Sequence, residues 1–228
     1  MAPPVLINTI MNRFVVALFL SCFTSALCAS SETSEVTAGA LVREMNLARQ
    51  NPGVYAGYVE ELRSHFVGNV LILPGGTQIR TKEGMRAIDE TVRFLRKARP
   101  QPTLELSPGM CRAAADHCAD QSGGRRGHDG SDRSSPGSRI SRYGEWAGAW
   151  GENIAYGKTN ARDIILALII DDGLPARKHR KNIFSPKFNY AGAAYGPHAV
   201  FRSVCSIDFA GGYTERGESS EPLVARNF

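Results

Sequence analysis

Two segments, Trp150-Gly151-Glu152-Asn153-Ile154 and Lys178-His179-Arg180-Lys181-Asn182-Ile183, decide how this chain is interpreted. Between them, apolar residues at helical spacing lead to Asp171, and His128 lies upstream in a glycine-rich stretch. Two imidazoles and two carboxylates therefore lie in one half of the chain, and folding can bring them into one cleft. Neutral imidazole and carboxylate are the ligand types that suit Zn²⁺ and related divalent ions.

Each of these residues has a plainer interpretation when it is taken alone. Glu152 after a glycine is typical of a loop carboxylate capped by backbone N–H groups, and His128 between glycines is typical of a solvated loop. His179 lies in a basic run of the kind found on surfaces. Asp171, however, extends the buried face of its helix, and a buried carboxylate needs a partner. The combination predicts a divalent-metal site, with Zn²⁺ favoured, formed by His128, Glu152, Asp171 and His179.

The N-terminal stretch has the pattern of a secretory signal peptide. An apolar run from Phe14 to Phe23 follows Arg13, and small residues follow it up to Ala29. We therefore predict a signal peptide over residues 1–29 and a secreted protein, extracellular or periplasmic. No later segment reaches the ~20 apolar residues of a spanning helix, so we expect no transmembrane segment after the signal is removed.

The net charge of the chain and the positions of its arginines indicate which partners it can bind. The formal net charge is +5, and Arg13 is the one charge of the predicted leader. This mild basicity favours solubility and weak contact with anionic surfaces but does not by itself indicate nucleic acid. An arginine cluster beside Tyr143 could contact phosphates (Arg125, Arg126, Arg133, Arg139 and Arg142). Because the chain is predicted to be exported, we expect no nucleic acid, and anionic glycan or lipid headgroups fit the cluster better.

Three cysteines follow the predicted leader: Cys111, Cys118 and Cys205. Cys111 and Cys118 are separated by about 10 Å along a predicted helix, so they do not bridge each other there. Two alternatives stay open. Either of them pairs with Cys205, which export permits, or all three are free thiols. Among the remaining histidines, His117 is interpreted as a hydrogen-bonded core or rim residue and His198 as a solvated one.

The order of predicted elements favours an α+β layered domain, because helices come first and strands fill the last third. The last predicted strand alternates apolar and polar residues, which indicates a half-buried antiparallel ladder. A polar and disordered tail is predicted from residue 214 to residue 228. The predicted helices are Val36–Arg49, Pro52 to about Phe66, Glu83–Lys97, one that begins at Ser107-Pro108 and one that Asn160 caps. The predicted strands are Phe188–Tyr195 and Ala199–Ala210, and a loop is predicted over Gly123–Gly137.

The chain resembles bacterial-type members of the CAP superfamily, which includes the cysteine-rich secretory proteins, antigen 5 and plant pathogenesis-related proteins. The resemblance covers most of the chain after the leader. Its most specific part is Gly-Glu-Asn-Ile followed at this distance by His-Arg-x-Asn-Ile. The matching segments are Glu44-Met45-Asn46-x-x-Arg49, Leu106-Ser107 with Ala113 to His117, Gly127-His128-Asp129-Gly130, Gly151 to Ala155, Lys178 to Ile183, Phe188-Asn189-x-x-Gly192 and Cys205 to Phe209.

The resemblance implies a single CAP (SCP) domain over residues 30–213, folded as a three-layer α-β-α sandwich with a central antiparallel sheet. It also implies a cleft lined by two histidines and two acids. His128, Glu152 and His179 take the places of the first histidine, the first acid and the second histidine. The second acid of the family lies on a Trp-x-x-Glu helix. Here that helix ends in Leu168-Ile169-Ile170-Asp171, so Asp171 takes its place with a side chain one methylene shorter.

Two functions are compatible with such a cleft. The first is a secreted binding module that takes a divalent metal and a lipid, glycan or peptide ligand, with no defined reaction; the resembled family favours it. The alternative is a metal-dependent hydrolase, in which His128 and His179 hold Zn²⁺ and Glu152 acts as base on a bound water. A serine hydrolase is disfavoured because the Gly-x-Ser-x-Gly pattern is absent from the sequence. A Cys–His pair is disfavoured because the helix register buries Cys111 and Cys118.

Overall fold

The computed structural model describes residues 36–73 and 76–217, which all belong to one unit, Thr33–Phe228. The predicted signal peptide lies outside the described residues, as do residues 218–228 of the predicted tail. None of the helices among the described residues combines the length and apolar character that membrane crossing requires.

The first half of the described chain is mainly helical, as predicted. Two of its helices begin at local capping signals. The Thr37 hydroxyl accepts a hydrogen bond from the Ala40 N–H, and the Ser107 hydroxyl accepts one from the Met110 N–H. A third helix begins with Pro52 at its first position. The missing N–H of proline removes no hydrogen bond there, because the first N–H groups of a helix have no partner within the helix. The helices are α1 (Ala38–Gln50), α2 (Pro52–Glu61), α3 (Met85–Lys97) and α4 (Pro108–Gln121).

A small antiparallel sheet lies between α2 and α3, where the sequence predicted only a short strand or loop. A 3₁₀ turn, Leu62–His65, leads into three strands paired in chain order. Val70 pairs with both Val67 and Arg80, so the middle strand is hydrogen-bonded on both sides. The strands are β1 (Phe66–Val67), β2 (Val70–Ile72) and β3 (Gln78–Arg80).

The second half of the chain builds the main sheet, whose strand order is β4-β6-β7-β5. The long strands are antiparallel to one another, and the two-residue strand β4 is parallel to β6 at one edge. The remaining elements are β4 (Glu105–Leu106), α5 (Pro136–Ile140), β5 (Gly144–Tyr156), α6 (Ala161–Ile170), α7 (Lys178–Ile183), β6 (Tyr190–His198) and β7 (Arg202–Glu215).

Helices cover both faces of this sheet, which confirms the predicted α-β-α sandwich. On one face of β7, Ile207 and Phe209 belong to the large core formed with α1 and α6. On the other face, Ala210 packs with Met110 of α4 and Ile140 of α5. The prediction that the last strand is half-buried is therefore wrong. Its polar positions are buried as well, because α4 covers the face that the alternation assigned to solvent.

Gly192 shows how closely α4 lies on the sheet. A Cβ atom added at this position would overlap the backbone of Met110 and Cys111. Glycine therefore allows the helix to reach the backbone of β6, and Ala113 and Ala114 are fully buried on the same helix. Cys111, Cys118 and Cys205 are free thiols, so of the two alternatives the structure has the unpaired one.

Other details depart from the sequence-based expectations. The strand β5 was not predicted, and its residues had been interpreted as loop. The strand β7 continues two residues past the predicted boundary at 213, because Thr214 and Glu215 pair with Glu145 and Gly144 of β5. The Glu215 carboxylate also accepts hydrogen bonds from the Ser107 hydroxyl at 2.6 Å and the Gly109 N–H at 2.9 Å. His198 is buried rather than solvated, since its Nε2 lies 2.8 Å from the Arg125 carbonyl oxygen.

Candidate metal-binding cleft

Two asparagines bring the two motif segments together. Asn153 on β5 donates from Nδ2 to the carbonyl oxygen of His179 at 3.0 Å. Asn182 on α7 donates to Asn153 Oδ1 at 2.9 Å and to the Glu152 carbonyl oxygen at 3.3 Å. The asparagines thus fix α7 against the strand that carries Glu152, and this contact explains why both segments carry an asparagine.

The first histidine–acid pair joins the glycine-rich loop to the sheet. Nδ1 of His128 lies 2.7 Å from Oε1 of Glu152. The other carboxylate oxygen of Glu152 accepts from Arg139 Nη2 at 2.8 Å and from the Ser206 hydroxyl at 3.0 Å. The hydrogen bond that Glu152 accepts from His128 raises the pKa of this histidine above its usual value. Glu152 is therefore a strand residue with a buried carboxylate, and the interpretation as a loop carboxylate is wrong.

The second pair is formed at the C-terminal end of α6. Asp171 follows the last helical residue and has a left-handed backbone (φ 56°), a conformation that aspartate tolerates better than most residues. Its Oδ1 lies 2.7 Å from His179 Nδ1, and its Oδ2 accepts from the His179 N–H at 3.0 Å. As predicted, the Asp171 carboxylate is buried, and its partner is the second histidine.

Two arginines, Arg177 and Arg180, fix the chain segment around His179, the histidine of the second pair. Arg177 donates from Nη1 and Nη2 to the two oxygens of Glu83 at 2.7 Å and 2.9 Å, and the Gly173 N–H donates to the same carboxylate at 2.9 Å. These bonds hold the pKa of Glu83 at about 2. Arg180 is buried and donates to both oxygens of Glu90 at 2.7 Å and 2.8 Å. Helix α3 therefore anchors α7.

His128 and His179 face the same open space. Both line a cavity of about 580 Å³ together with Glu152, Lys178 and Asn182. Both also line the adjoining cavity of about 370 Å³. A neutral imidazole that donates from Nδ1 to a carboxylate keeps its lone pair on Nε2, and this arrangement is the one in which protein imidazoles bind metals.

The donor chemistry of the cleft fits a divalent cation through its imidazoles. The carboxylates of Glu152 and Asp171 are occupied by hydrogen bonds to the imidazoles and to other donors. Among residues 36–73 and 76–217, no group of three or more His, Cys, Asp or Glu side chains is arranged around a common metal position. The four predicted residues thus form two histidine–acid pairs whose imidazoles line one cavity, and the prediction that the acids are themselves ligands stays a prediction.

A buried polar cluster lies behind the first pair. Asp208 faces Glu152 directly in the β5–β7 register, and both are buried. Burial and the Glu152 charge raise the pKa of Asp208 well above its usual value. His117 is fully buried as predicted, with its Nε2 2.9 Å from the Gly127 carbonyl oxygen, and burial lowers its pKa.

Arg139 is the site residue that the sequence interpretation missed. It was placed in an exposed arginine cluster, but its side chain is buried and pairs with Glu152. Arg142, from the same cluster, pairs instead with Asp116 and Asp132 at the surface. A signal was available, since Ser135-Pro136 repeats the cap and first-turn proline of Ser107-Pro108. That signal predicts the short helix α5, which carries Arg139 inward.

The fold and cleft define a class of α-β-α protein with paired histidines and acids on one cavity. Residues 78–209 match the model of the CAP family, described as the cysteine-rich secretory protein family. This match spans more than half of the chain, so the protein belongs to the CAP family, which confirms the resemblance seen in the sequence. Comparison with curated proteins gives no match to this chain.

Three solved structures that match this chain are bacterial proteins. An extracellular protein of Bacillus anthracis that contains an SCP domain is 20% identical, with a TM-score of 0.40, over 55% of this chain and 39% of that one. An outer surface protein of Borrelia burgdorferi is 18% identical, with a TM-score of 0.41, over 58% of this chain and 95% of that one. A cysteine-rich secretory protein of Staphylococcus aureus is 14% identical, with a TM-score of 0.36, over 56% of this chain and 38% of that one. The matched region thus spans about two fifths of the Bacillus and Staphylococcus proteins.

Proposed function

We propose that this chain is a secreted binding module whose cleft holds a divalent cation, with Zn²⁺ favoured, on Nε2 of His128 and His179. One observation carries the proposal. Each imidazole has its Nδ1 2.7 Å from a buried carboxylate oxygen, and both imidazoles line one cavity. Carboxylates that hold the far nitrogen of a ligating imidazole fix its tautomer and orientation and strengthen its metal binding. Two imidazoles leave coordination positions of the ion open to a ligand.

The walls of the cavity suit a ligand that carries an anionic group. Lys178 and Lys181 contribute exposed cations, and Leu174 and Pro175 contribute exposed apolar surface beside them. A bound cation would add to this positive potential. We therefore propose that the ligand is an acidic group on a lipid, glycan or peptide, with its apolar part against the Leu174 segment.

A binding role is favoured over the metal-dependent hydrolase because both acids of the two pairs already accept hydrogen bonds. Glu152 uses one oxygen for His128 and the other for Arg139 and Ser206. Asp171 uses both oxygens for His179. A carboxylate that must accept a proton from bound water has to reach that water, and these oxygens already have donors.

The test is a calorimetric zinc titration of the purified protein, with His128→Ala and His179→Ala as variants. We expect wild type to bind one equivalent of Zn²⁺ and each variant to lose at least tenfold in affinity. His65→Ala is the matched control, because His65 lies outside the cleft, and it should bind as wild type does. Wild-type affinity in both cleft variants would refute the proposal. Zinc-dependent ester or peptide turnover that His179→Ala abolishes would favour the hydrolase instead.

Export is tested separately by the N-terminus of the protein recovered from outside the cytoplasm. We expect the recovered chain to begin close to Ser30, after removal of residues 1–29. Full-length chain retained in the cytoplasm would contradict secretion without touching the metal proposal.

A further inference from the structure

The glycine-rich segment that carries His128 lies against the turn between β6 and β7. Within this segment Gly124 and Gly127 have positive φ angles of 108° and 109°, a backbone that glycine adopts without strain. Glycine also loses more conformational freedom on folding than other residues, so a segment of this kind needs contacts from other elements to keep one position. The turn and the end of β5 supply these contacts.

His198, the last residue of β6, joins the turn to the segment. Its Nε2 lies 2.8 Å from the Arg125 carbonyl oxygen. Its Nδ1 accepts hydrogen bonds from the N–H groups of Val200 and Phe201, both at 3.2 Å. Because a backbone N–H can only donate, Nδ1 carries no proton, and Nε2–H is the donor to Arg125. The contacts of this buried imidazole thus fix one tautomer.

Aromatic rings pack around the same imidazole. The ring centroids of Tyr156 and Phe201 lie 5.3 Å and 5.1 Å from that of His198. The Arg126 guanidinium lies over both of these rings, 5.7 Å from the Tyr156 centroid and 5.1 Å from the Phe201 centroid. These cation–π contacts hold Arg126 against the turn, next to the residue that His198 binds.

The contacts continue up to the cleft. The Gly127 N–H donates to the Tyr156 hydroxyl at 3.3 Å, and the Gly127 carbonyl oxygen accepts from Gln121 Nε2 at 2.7 Å. His128 is the next residue, and its Nδ1 lies 2.7 Å from the Glu152 carboxylate. The turn histidine itself lines neither cavity of the cleft, so its effect on the cleft acts through the segment.

We propose that His198 is a positioning residue of the cleft, whose Nε2–H bond to Arg125 fixes residues 125–128 and thereby keeps His128 beside Glu152. The effect on cation affinity rests on the proposed function, whereas the contact with Arg125 does not. Two imidazoles share one ion only while both are in place. A segment that holds His128 in place for about one tenth of the time would lower the apparent affinity about tenfold.

The experiment measures zinc affinity by calorimetry in His198→Phe, which keeps an aromatic ring but removes the Nε2–H donor and the Nδ1 acceptor. We expect the affinity to fall about tenfold. His198→Gln keeps one N–H donor and one acceptor on its amide, so it should bind zinc more tightly than His198→Phe. His65→Phe is the matched control and should bind as wild type does, because His65 lies outside the cleft.

A double-mutant cycle separates positioning from a general effect on the fold. In the His128→Ala background the segment carries no ligand, so His198→Phe should weaken the remaining zinc binding no further. A further loss of about tenfold in that background would overturn the proposal, because the substitution would then act on zinc binding without His128.

NMR measurements without zinc keep the positioning role separate from the cation. In wild type the ring ¹⁵N spectrum should show the His198 proton on Nε2. The backbone order parameters of Gly127 and His128 should be near ~0.85 in wild type and fall below about 0.6 in His198→Phe. A proton on Nδ1, mobile residues 127 and 128 in wild type, or unchanged order parameters in the variant would each overturn the positioning role, whether or not zinc binds. If these expectations hold and wild type binds no zinc, the positioning role is supported and the cation alone is refuted.

Discussion

The two histidine–acid pairs of the cleft have the same contact distance but different supports. His128 and Glu152 meet at 2.7 Å, as do His179 and Asp171. Glu152 lies in the middle of a paired strand, and the buried Arg139 compensates its charge. Asp171 lies just after a helix in a left-handed conformation, and within residues 36–73 and 76–217 its carboxylate forms an ion pair with His179 alone.

Because their surroundings differ, we expect the two acids to affect different properties of the protein. The Glu152 carboxylate is part of a buried ion pair, so its loss affects the stability of the sheet as well as the orientation of His128. Asp171 holds the His179 ring and the first turn of α7, so its loss acts first on the site. One imidazole is thus positioned by the folded core and the other by a local turn.

Removal of the Arg139 guanidinium should destabilise the protein most. Arg139→Met leaves the buried Glu152 carboxylate beside Asp208 without its guanidinium partner, which costs about 3–5 kcal/mol of the free energy of unfolding. Urea denaturation measures this loss. The matched control is Arg142→Met, whose ion pairs lie at the surface and contribute about 0–1 kcal/mol. Equal losses in the two variants would show that the Glu152 pair is not part of the core.

Substitution of Asp171 should reduce cation affinity with little effect on stability. Asp171→Asn keeps a residue that tolerates the left-handed backbone but weakens the bond to His179 Nδ1. We expect zinc affinity to fall about 10–100-fold, as for other partners of ligating histidines. Asp171→Ala should lose affinity similarly and also about 1–2 kcal/mol of stability, because alanine is strained at positive φ. Unchanged zinc affinity in Asp171→Asn would contradict the positioning role.

Low pH should weaken the contacts that hold the His179–Asp171 segment in place, because it protonates Glu83. The Arg177 hydrogen bonds lower the folded-state pKa of Glu83 from 4.5 to about 2. A lowered carboxyl pKa contributes stability that is complete above about pH 4.5 and lost as the pH falls through 2. Glu83→Gln should therefore lose about 1–2 kcal/mol at pH 7 and show a shallower decline of stability below pH 4.5. The same decline in wild type and variant would show that Glu83 does not couple to folding.

The longer helices were predictable because their signals are local. Ser107 and Asn160 cap their helices with side-chain oxygens, as the sequence predicts, and apolar spacing marks the buried faces. The strand β5 was missed because its sequence is rich in glycine and its stability depends on pairing with β7, about 60 residues away in the chain. Local propensity carries no information about such a partner.

The candidate site likewise has residues that local sequence identifies and residues that it does not. The histidines and acids were identified from residue type and family resemblance, and in the structure they form two pairs whose imidazoles line one cavity. Arg139 and Asp208 were not identified because their roles depend on which strand face α4 covers. Both became visible only through burial and the register between β5 and β7.

The most direct test of the account is the zinc position in a crystal of the protein, located by anomalous scattering at the zinc edge. We expect one peak about 2.0–2.1 Å from Nε2 of both His128 and His179, with Glu152 and Asp171 still bonded to the Nδ1 atoms. A peak bound to one imidazole alone, or the absence of zinc from the cleft at saturating concentration, would contradict it.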